Sequence, residues 1–327
     1  MNFQASLTIS LVLVAVVISQ SFYNDTLVRS RIFPFAAAAY GDSPQKCFDN
    51  LWKDEIGQHF TPGIISVPCM NNTHCFAYLS IHTVLKQIVI AFRGTDTKGQ
   101  LWDEYRDEQD MAMVSDSYFY GKVNYYFADS FHRLWDGGLG EKLEQYYTQQ
   151  GYEILFTGHS LGGALATLNV AYIVRSGLGY DLKRIKLVTF GEPRVGDATF
   201  ADTLSKYAPY VLRITHYRDL IARRPCKSDG YQHHSTEIFF PQEDMGVNNP
   251  YITCIGPEDP TCSAGISSTL TNIGIEDHTH YYDVDVSVYG ESNCTDKGLH
   301  RSKKGSRIPQ RWLWGLLCDD DIPKHIA

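Results

Sequence analysis

The stretch that decides the fold is FTGHSLGGAL, residues 156–165, in which three glycines and one serine share ten positions. An apolar run at 152–157 leads into it, and a helix-favouring run at 164–174 follows it. A G-x-S-x-G at the junction of a strand and a helix is a nucleophile elbow, a sharp turn that lifts the serine oxygen above the sheet edge. The placement of this motif therefore predicts Ser160 as a nucleophile on an α/β sheet.

The glycines of this turn have a steric explanation. Gly158 and Gly162 stand two residues either side of Ser160, where side chains would collide as the strand and the helix approach each other. The backbone N–H of Leu161 then points from the positive end of the helix to the place where an oxyanion would form. The alternative is a glycine-rich packing turn without chemistry, which the flanking strand and helix disfavour.

Strands and helices alternate along most of the chain. We predict strands at 87–92, 152–157, 185–190 and 210–215, and helices over 128–149 and 168–175. Short buried strands separated by helices favour a mostly parallel central sheet with helices on both faces. Residues 241–275 are rich in Asn, Pro, Gly and Ser and predict a long loop. The sequence has no internal repeat, so most of the chain can form one domain.

A serine nucleophile needs a base, and the base needs an orienting carboxylate. In this architecture the order along the chain is serine, acid, histidine. Asp219 follows the predicted strand at 210–215, at the sheet edge where catalytic groups collect in open α/β folds. The base must come later, and the residues alone leave six candidates, which are His233, His234, His278, His280, His300 and His325.

Five ordered blocks extend the pattern beyond the elbow: IVIAFRGTD, TGHSLGGALATL, LVTFGEPRVGDATFA, LRITHYRDLIARRP and DHTHYY. Through these blocks most of the chain resembles the fungal-type class-three lipases of the α/β-hydrolase fold, in the version found in secreted animal proteins. The resemblance implies a mostly parallel central sheet with helices on both faces and a lid segment. It also implies a Ser-His-Asp triad that works through an acyl-enzyme.

The resemblance assigns a role to each matching position. The serine of GHSLGG is the nucleophile, the aspartate after the R-x-x-H-x-x-D strand end is the acid, and the histidine that opens H-x-x-Y-F is the base. The residue after R-G shares the oxyanion hole with the residue after the nucleophile. The matching residues are Ser160, Asp219 and His278 for the triad and Thr95 and Leu161 for the oxyanion hole. In this alignment His280 is a neighbour of the base.

Two blocks depart from the pattern of these lipases. An H-x-G-F block corresponds here to VNYYF, with Asn124 and Tyr126 at the His and Gly positions, which alters a pocket wall and leaves the triad untouched. The lid corresponds to DTKGQLWDEYRDEQDMAM, residues 96–113, which is highly charged. A fixed surface helix is the alternative to a mobile lid. The apolar face of the lid would consist of Leu101, Trp102 and Tyr105.

The resemblance implies a serine carboxylic-ester hydrolase that acts on acylglycerols, in the manner of a triacylglycerol lipase, at a lipid–water interface and without a metal or an organic cofactor. Phospholipase A1 action is an alternative, because three arginines near Asp219 could face a phosphate, although a solvated loop also explains them. These arginines are Arg218, Arg223 and Arg224. An esterase for small esters is another alternative. A non-catalytic lipid-binding protein is disfavoured because all three triad candidates are present.

The N-terminus predicts secretion. Residues 7–18 are almost entirely apolar but are shorter than the roughly 20 residues of a membrane span, and Ser19 and Ser21 stand at cleavable spacing. We therefore predict a signal peptide at 1–21 and a single secreted catalytic domain at 22–327, with no transmembrane segment. A buried N-terminal helix is the alternative.

Cysteines, sequons and charge agree with that compartment. An even set of eight cysteines in a secretory chain predicts disulfides, and the spacing suggests Cys69 with Cys75 and Cys254 with Cys262. A zinc site that uses Cys69, His74 and Cys75 is the rival interpretation. A net charge of −8 without a basic block argues against nucleic acid as a partner. The sequence leaves the oligomeric state open. Three sequons predict glycosylation, at Asn24, Asn71 and Asn293.

Overall fold

The computed structural model describes residues 23–70, 73–95, 112–147, 151–177, 179–266, 275–298 and 318. The predicted signal peptide at 1–21 lies outside the described residues, and so does the predicted lid apart from residues 112 and 113. The individual predicted residues outside these ranges are Asn71, Leu101, Trp102, Tyr105, His300 and His325.

An eight-stranded sheet forms the centre of the described fold. The strands, numbered in chain order, are β1 His59–Pro68, β2 His74–His82, β3 Gln87–Phe92, β4 Met113–Ser115, β5 Lys122–Asn124, β6 Glu153–His159, β7 Ile185–Phe190, β8 Gly196–Asp197, β9 Val211–His216, β10 Tyr231–Gln232, β11 Glu237–Phe240, β12 Ile252–Cys254, β13 His280–Tyr281 and β14 Val284–Asp285. The order in the main sheet is β1-β2-β3-β6-β7-β9-β11-β12. In this sheet β3, β6, β7, β9 and β11 pair in parallel, and the flanking strands β1, β2 and β12 pair antiparallel. The prediction of a mostly parallel central sheet is confirmed.

Smaller sheets and the helices complete the layers. One small sheet has the order β10-β8-β5-β4, and another pairs β13 with β14. The described helices are α1 Asp25–Leu27, α2 Phe33–Ala38, α3 Pro44–Leu51, α4 Tyr125–Leu134, α5 Gly140–Tyr147, α6 Leu161–Ser176, α7 Ala198–Tyr207, α8 Ile275–Thr279 and α9 Val286–Glu291. Within the described ranges, no helix combines the length and the apolar character needed to cross a membrane.

Alternate side chains of β3 show that helices cover both faces of the sheet. Ile88 and Ile90 belong to a core shared with α4, α5, α6 and α7, whereas Val89 and Ala91 belong to a second core shared with α2 and α9. Successive residues of a strand point to opposite faces, so a strand buried on both sides is apolar at every position. The uninterrupted apolar run of β3 is therefore typical of a sheet covered by helices on both faces, which is a three-layer α/β fold.

The predicted elements lie close to the observed ones. Strands β3 and β7 have the predicted bounds, β6 continues to His159, and β9 begins one residue later than predicted, at Val211. The helix predicted at 168–175 is the second half of α6. The single helix predicted at 128–149 is wrong, because the backbone turns at Gly138, where φ is 116°, and separates α4 from α5.

The eight cysteines form four disulfides. Cys69 pairs with Cys75 and Cys254 pairs with Cys262, which confirms the two predicted local bridges. The bridge at Cys69 consumes two of the proposed ligands and so excludes the rival zinc site. The other two bridges join residues far apart in sequence, which constrains the unfolded chain most. They are Cys47–Cys294, with a separation of 247 residues, and Cys226–Cys318, with a separation of 92.

Candidate active site

The nucleophile elbow is a strained turn between β6 and α6. Ser160 has φ 58° and ψ −131°, a backbone conformation that costs a non-glycine residue about 1–3 kcal/mol and that surrounding structure must impose. A Cβ added at Gly158 would lie 2.2 Å from the backbone of Gly162, and one at Gly162 would lie 2.2 Å from the carbonyl oxygen of Phe92. The two glycines therefore let strand, turn and helix approach closely enough to impose the strain.

The structure brings together Ser160, Asp219 and His278. His278 Nε2 lies 2.8 Å from Ser160 Oγ, and His278 Nδ1 lies 2.9 Å from each carboxylate oxygen of Asp219. The three residues are 1–2% exposed. They arrive from three places in the fold, the end of β6, the loop after β9 and the short helix α8.

These contacts determine the tautomer of His278. The carboxylate of Asp219 only accepts hydrogen bonds, so Nδ1 carries the proton that faces it. Nε2 then carries a lone pair toward Ser160 Oγ and can accept the hydroxyl proton. A serine, a histidine and a carboxylate in this order form a general-base relay for acyl transfer.

Asp219 is held as a carboxylate. Tyr281 donates its hydroxyl to Oδ2 at 2.7 Å, and the N–H of Ala222 donates to Oδ1 at 3.1 Å. Burial alone would raise the pKa of Asp219, but the facing His278 ring and these hydrogen bonds outweigh it and hold that pKa below its usual range. The carboxyl group of Asp219 therefore stays ionised and places a negative charge beside the His278 ring.

A second histidine packs against His278. The His159 ring lies against the His278 ring at an interplanar angle of 32° with centroids 4.7 Å apart, and its Nε2 donates to the carbonyl oxygen of His278 at 2.7 Å. Its Nδ1 then accepts the Tyr40 hydroxyl at 2.7 Å. Burial, and after it the His278 charge, lower the pKa of His159 to about 3, so the ring is neutral. Sequence reasoning missed both contacts; His159 stands inside GHSLGG, but Tyr40 lies in no recognised motif.

The chain segments that carry the two predicted oxyanion residues come close to Ser160. Thr95 follows Gly94 at the end of β3, and a Cβ added at Gly94 would lie 2.6 Å from the carbonyl oxygen of His159 and 3.1 Å from Ser160 Cβ. Leu161 is the first residue of α6, directly after the nucleophile. Gly94, the residue before Thr95, thus lies beside Ser160, and Leu161 follows Ser160 directly.

The remaining described histidine candidates have other partners. His280 Nδ1 lies 3.0 Å from the carbonyl oxygen of Glu276, within its own segment. His233 Nε2 lies 2.7 Å from the carbonyl oxygen of Ala222. His234 Nε2 lies 3.1 Å from a carboxylate oxygen of Glu192. Of the described candidates, His278 has its ring within hydrogen-bond distance of both Ser160 and Asp219.

Two of the three arginines near Asp219 are not placed as expected. Arg223 and Arg224 are each 3% exposed; the Arg223 guanidinium donates to the carbonyl oxygen of Ile266 at 2.6 Å, and that of Arg224 contacts the Cys226–Cys318 disulfide. Their charges are enclosed by protein, so they form neither a solvated loop nor a surface for phosphate. Arg218 alone is partly exposed, with its guanidinium 4.6 Å from the Tyr217 ring centre.

Asn124 and Tyr126, which replace the His and Gly of the lipase H-x-G-F block, have structural roles here. Asn124 accepts a hydrogen bond from the N–H of Phe127 at 3.0 Å and so caps α4, and it donates to the Tyr231 hydroxyl at 3.1 Å. Tyr126 is buried in the core.

Of the described sequons, Asn24 is exposed and Asn293 is partly exposed.

Comparison with known proteins finds relatives of this chain among lipases. The family model for class 3 lipases matches residues 89–228. A Caenorhabditis elegans lipase is 33% identical over 308 residues, covering 83% of each chain, and a Rhizopus niveus lipase is 28% identical over 200 residues, covering 61% of this chain and 48% of the other. The solved Rhizomucor miehei triacylglyceride lipase has the same fold, with a TM-score of 0.67 and 23% identity over 81% of this chain and 97% of its own.

Proposed function

Because the chain belongs to the class 3 lipase family and is a carboxylic ester hydrolase, we propose that it hydrolyses acylglycerols through an acyl-enzyme on Ser160. One observation supports this most directly: a continuous hydrogen-bonded path runs from Ser160 Oγ through the His278 ring to the Asp219 carboxylate. This path supplies a base at the nucleophile and a fixed negative charge behind the base.

The proposed reaction proceeds in two halves. Ser160 Oγ attacks the ester carbonyl carbon while His278 Nε2 takes the hydroxyl proton, and Asp219 stabilises the imidazolium that results. Backbone donors at Thr95 and Leu161 stabilise the oxyanion, and such a donor is worth about 3–4 kcal/mol in other hydrolases. His278 then gives its proton to the leaving alcohol, the C–O bond breaks, and water repeats the sequence on the acyl-enzyme.

Acylglycerols are proposed as the substrates because the relatives are named as lipases and one solved relative as a triacylglyceride lipase. The phospholipid alternative has less support, since Arg223 and Arg224 are enclosed by backbone carbonyl and disulfide contacts. We also propose that residues 97–113 act as a lid at the lipid surface, with Trp102 on its apolar face.

Secretion of a single catalytic domain is proposed as well. Four disulfides are typical of an oxidising compartment, and the apolar run within 1–21 is typical of a signal peptide. The exposed sequon at Asn24 and the partly exposed one at Asn293 are accessible to glycosylation in that compartment. N-terminal sequencing of secreted protein, and its mass before and after deglycosylation, test this proposal.

Two measurements test the function. A fluorophosphonate probe should label the wild-type protein at Ser160 and should leave Ser160→Ala unlabelled and inactive on a short p-nitrophenyl ester. A panel of emulsified triacylglycerol, diacylglycerol and phosphatidylcholine then ranks the substrates, and acylglycerols should be cleaved fastest. Unchanged labelling and turnover in Ser160→Ala would refute the mechanism. A preference for phosphatidylcholine would refute the proposed substrate and leave the mechanism standing.

A further inference from the structure

The base of the proposed reaction comes from a segment with little secondary structure of its own. His278 lies in α8, which has five residues, and α8 continues directly into the two-residue strand β13. The last four carbonyl groups of a helix have no partner inside it, so a five-residue helix leaves most of its carbonyls to be satisfied from outside. The position of the His278 ring therefore depends on what binds these carbonyls.

Histidine rings from two strand ends bind them. His159 closes β6, and its Nε2 lies 2.7 Å from the carbonyl oxygen of His278 itself. His216 closes β9, and its Nδ1 lies 2.9 Å from the carbonyl oxygen of Asp277 and 2.8 Å from that of His280. Three carbonyl groups around the base are thus held by two rings, which are 4% and 2% exposed.

His216 also reaches away from this segment. Its Nε2 lies 3.1 Å from the carbonyl oxygen of Gln242 and 3.0 Å from that of Glu243, in the loop that follows β11. The two nitrogens of one ring thus face two different segments, the catalytic-histidine segment at Nδ1 and the 242–243 loop at Nε2. This division makes the two contacts separable by substitution.

The Tyr281 ring fills the space between the two histidines. Its centroid lies 5.6 Å from that of His159 and 5.7 Å from that of His216, and its hydroxyl is the one that binds Asp219. A shift of the backbone at 277–280 would therefore move the base and a hydrogen-bond donor to the acid together. Misplacement of about 1 Å in an active site can cost about 100-fold in rate.

We propose that His159 and His216 are positioning residues, which fix the backbone of the catalytic-histidine segment and thereby the line from Ser160 to Asp219. The proposal rests on the proposed function, in which His278 is the base. A carbonyl oxygen only accepts hydrogen bonds, so the contacts require a proton on His159 Nε2 and on both ring nitrogens of His216. Neither ring exchanges a proton with the substrate in this role.

Substitutions at His216 separate its two contacts. The amide nitrogen of Asn reaches the place of Nδ1 and can still bind the catalytic-histidine segment, whereas that of Gln reaches the place of Nε2 and can bind only the 242–243 loop. His216→Phe fills the site and binds neither. We expect kcat on a short soluble ester to fall about 10- to 100-fold in His216→Phe and His216→Gln, and to stay within about threefold of wild type in His216→Asn. KM should change little in all three variants.

A buried histidine elsewhere supplies the matched control. His59 is 6% exposed, packs among Phe35, Phe48 and Trp52, and bonds to the Ser80 hydroxyl at 3.0 Å. His59→Asn should lower the melting temperature and leave kcat unchanged, because it alters no contact of the base. Melting temperatures of all variants separate loss of stability from loss of positioning.

The outcomes discriminate clearly. Low kcat in His216→Gln with near-normal kcat in His216→Asn, both folded, is the expected result. Wild-type kcat in folded His216→Phe, or equal rescue by Asn and Gln, would overturn the inference; if the Phe variant does not fold, the comparison of Asn with Gln decides alone. Absence of ester turnover in the wild-type protein would instead refute the proposed function.

Discussion

A single methyl group at Gly191 should disable the triad without touching the substrate. Gly191 follows β7 directly and has φ +59°. A Cβ at this position would lie 2.8 Å from Asp219 Oδ2, 3.0 Å from the Tyr281 hydroxyl and 3.1 Å from His278 Nδ1. These are the atoms that hold the acid and the base together, so Gly191→Ala places its methyl group at the junction of the relay.

The size of the effect follows from these distances. Carbon in ordinary van der Waals contact needs about 3.5 Å, so all three polar atoms must retreat by roughly half an ångström or lose their mutual hydrogen bonds. Because displacement of about 1 Å can cost about 100-fold in rate, kcat should fall about 10- to 100-fold. The methyl group lies on the Nδ1 side of the His278 ring, away from Ser160, so KM should change little.

Backbone strain needs its own control. Alanine at positive φ costs about 1–3 kcal/mol of stability wherever it occurs. Gly177, the residue directly after α6, has φ +60°, and a Cβ there would meet no atom within 4 Å. Gly177→Ala therefore imposes the same strain without the contact, and it should lower the melting temperature and leave kcat intact.

The assay compares kcat and KM for a short p-nitrophenyl ester with the rate of fluorophosphonate labelling in wild type, Gly191→Ala and Gly177→Ala. Labelling should slow in parallel with kcat in Gly191→Ala, because His278 no longer activates Ser160. A folded Gly191→Ala protein with kcat within about twofold of wild type would refute the reasoning, since the triad would then tolerate a displacement that should misalign it.

Three further predictions concern other parts of the molecule. Tyr281→Phe removes a hydrogen bond to the charged Asp219 carboxylate, and such a bond is worth about 1.5–3 kcal/mol. The pKa of Asp219 should therefore rise, and the acid limb of the pH profile of kcat/KM should move to higher pH. An unchanged pH profile would contradict this. Burial, and then His82, lower the pKa of His59 to about 4. Because the unfolded chain takes up this proton at higher pH than the folded one, the free energy of unfolding should decrease by up to about 3 kcal/mol as the pH falls from about 6.5 to about 4. His59→Asn should flatten this part of the acid-denaturation curve. If residues 97–113 form a lid, activity should rise sharply once an ester exceeds its solubility, and Trp102→Ala should blunt that rise while sparing a soluble ester; a smooth saturation curve would rule the lid out.

The parts of the fold that carry motifs could be predicted from the sequence. β3 and β7 are uninterrupted apolar runs that end in R-G and in G-E-P, so their bounds are visible in the sequence. The carboxyl ends of parallel strands meet at one edge of the sheet, which is why Ser160 after β6 and Asp219 after β9 could be placed near each other. The elbow could also be predicted, because glycines are needed where its backbone segments approach each other closely.

The edge of the sheet and the buried arginines could not be predicted in this way. β1 contains Pro62 and Gly63, two residues that argue against a strand. The proline is tolerated because β1 lies at the edge of the sheet. Arg223 is buried because it reaches the carbonyl oxygen of Ile266, 43 residues further along the chain. Such a contact between distant segments leaves no local pattern, and arginine by itself predicts an exposed side chain.

The three members of the triad are supported in different ways, and this explains how visible each one is in the sequence. Ser160 is held by its own turn, so the glycines around it are a local sequence pattern that indicates it. Asp219 is fixed partly within its own loop, by the N–H of Ala222, and its place after a strand indicates it. His278 has only a five-residue helix around it and takes its support from rings at the ends of two distant strands. Because that support comes from distant segments, the residues around His278 left six histidines open; the DHTHYY block of the family resemblance pointed to His278, and the tertiary structure puts its ring between Ser160 and Asp219.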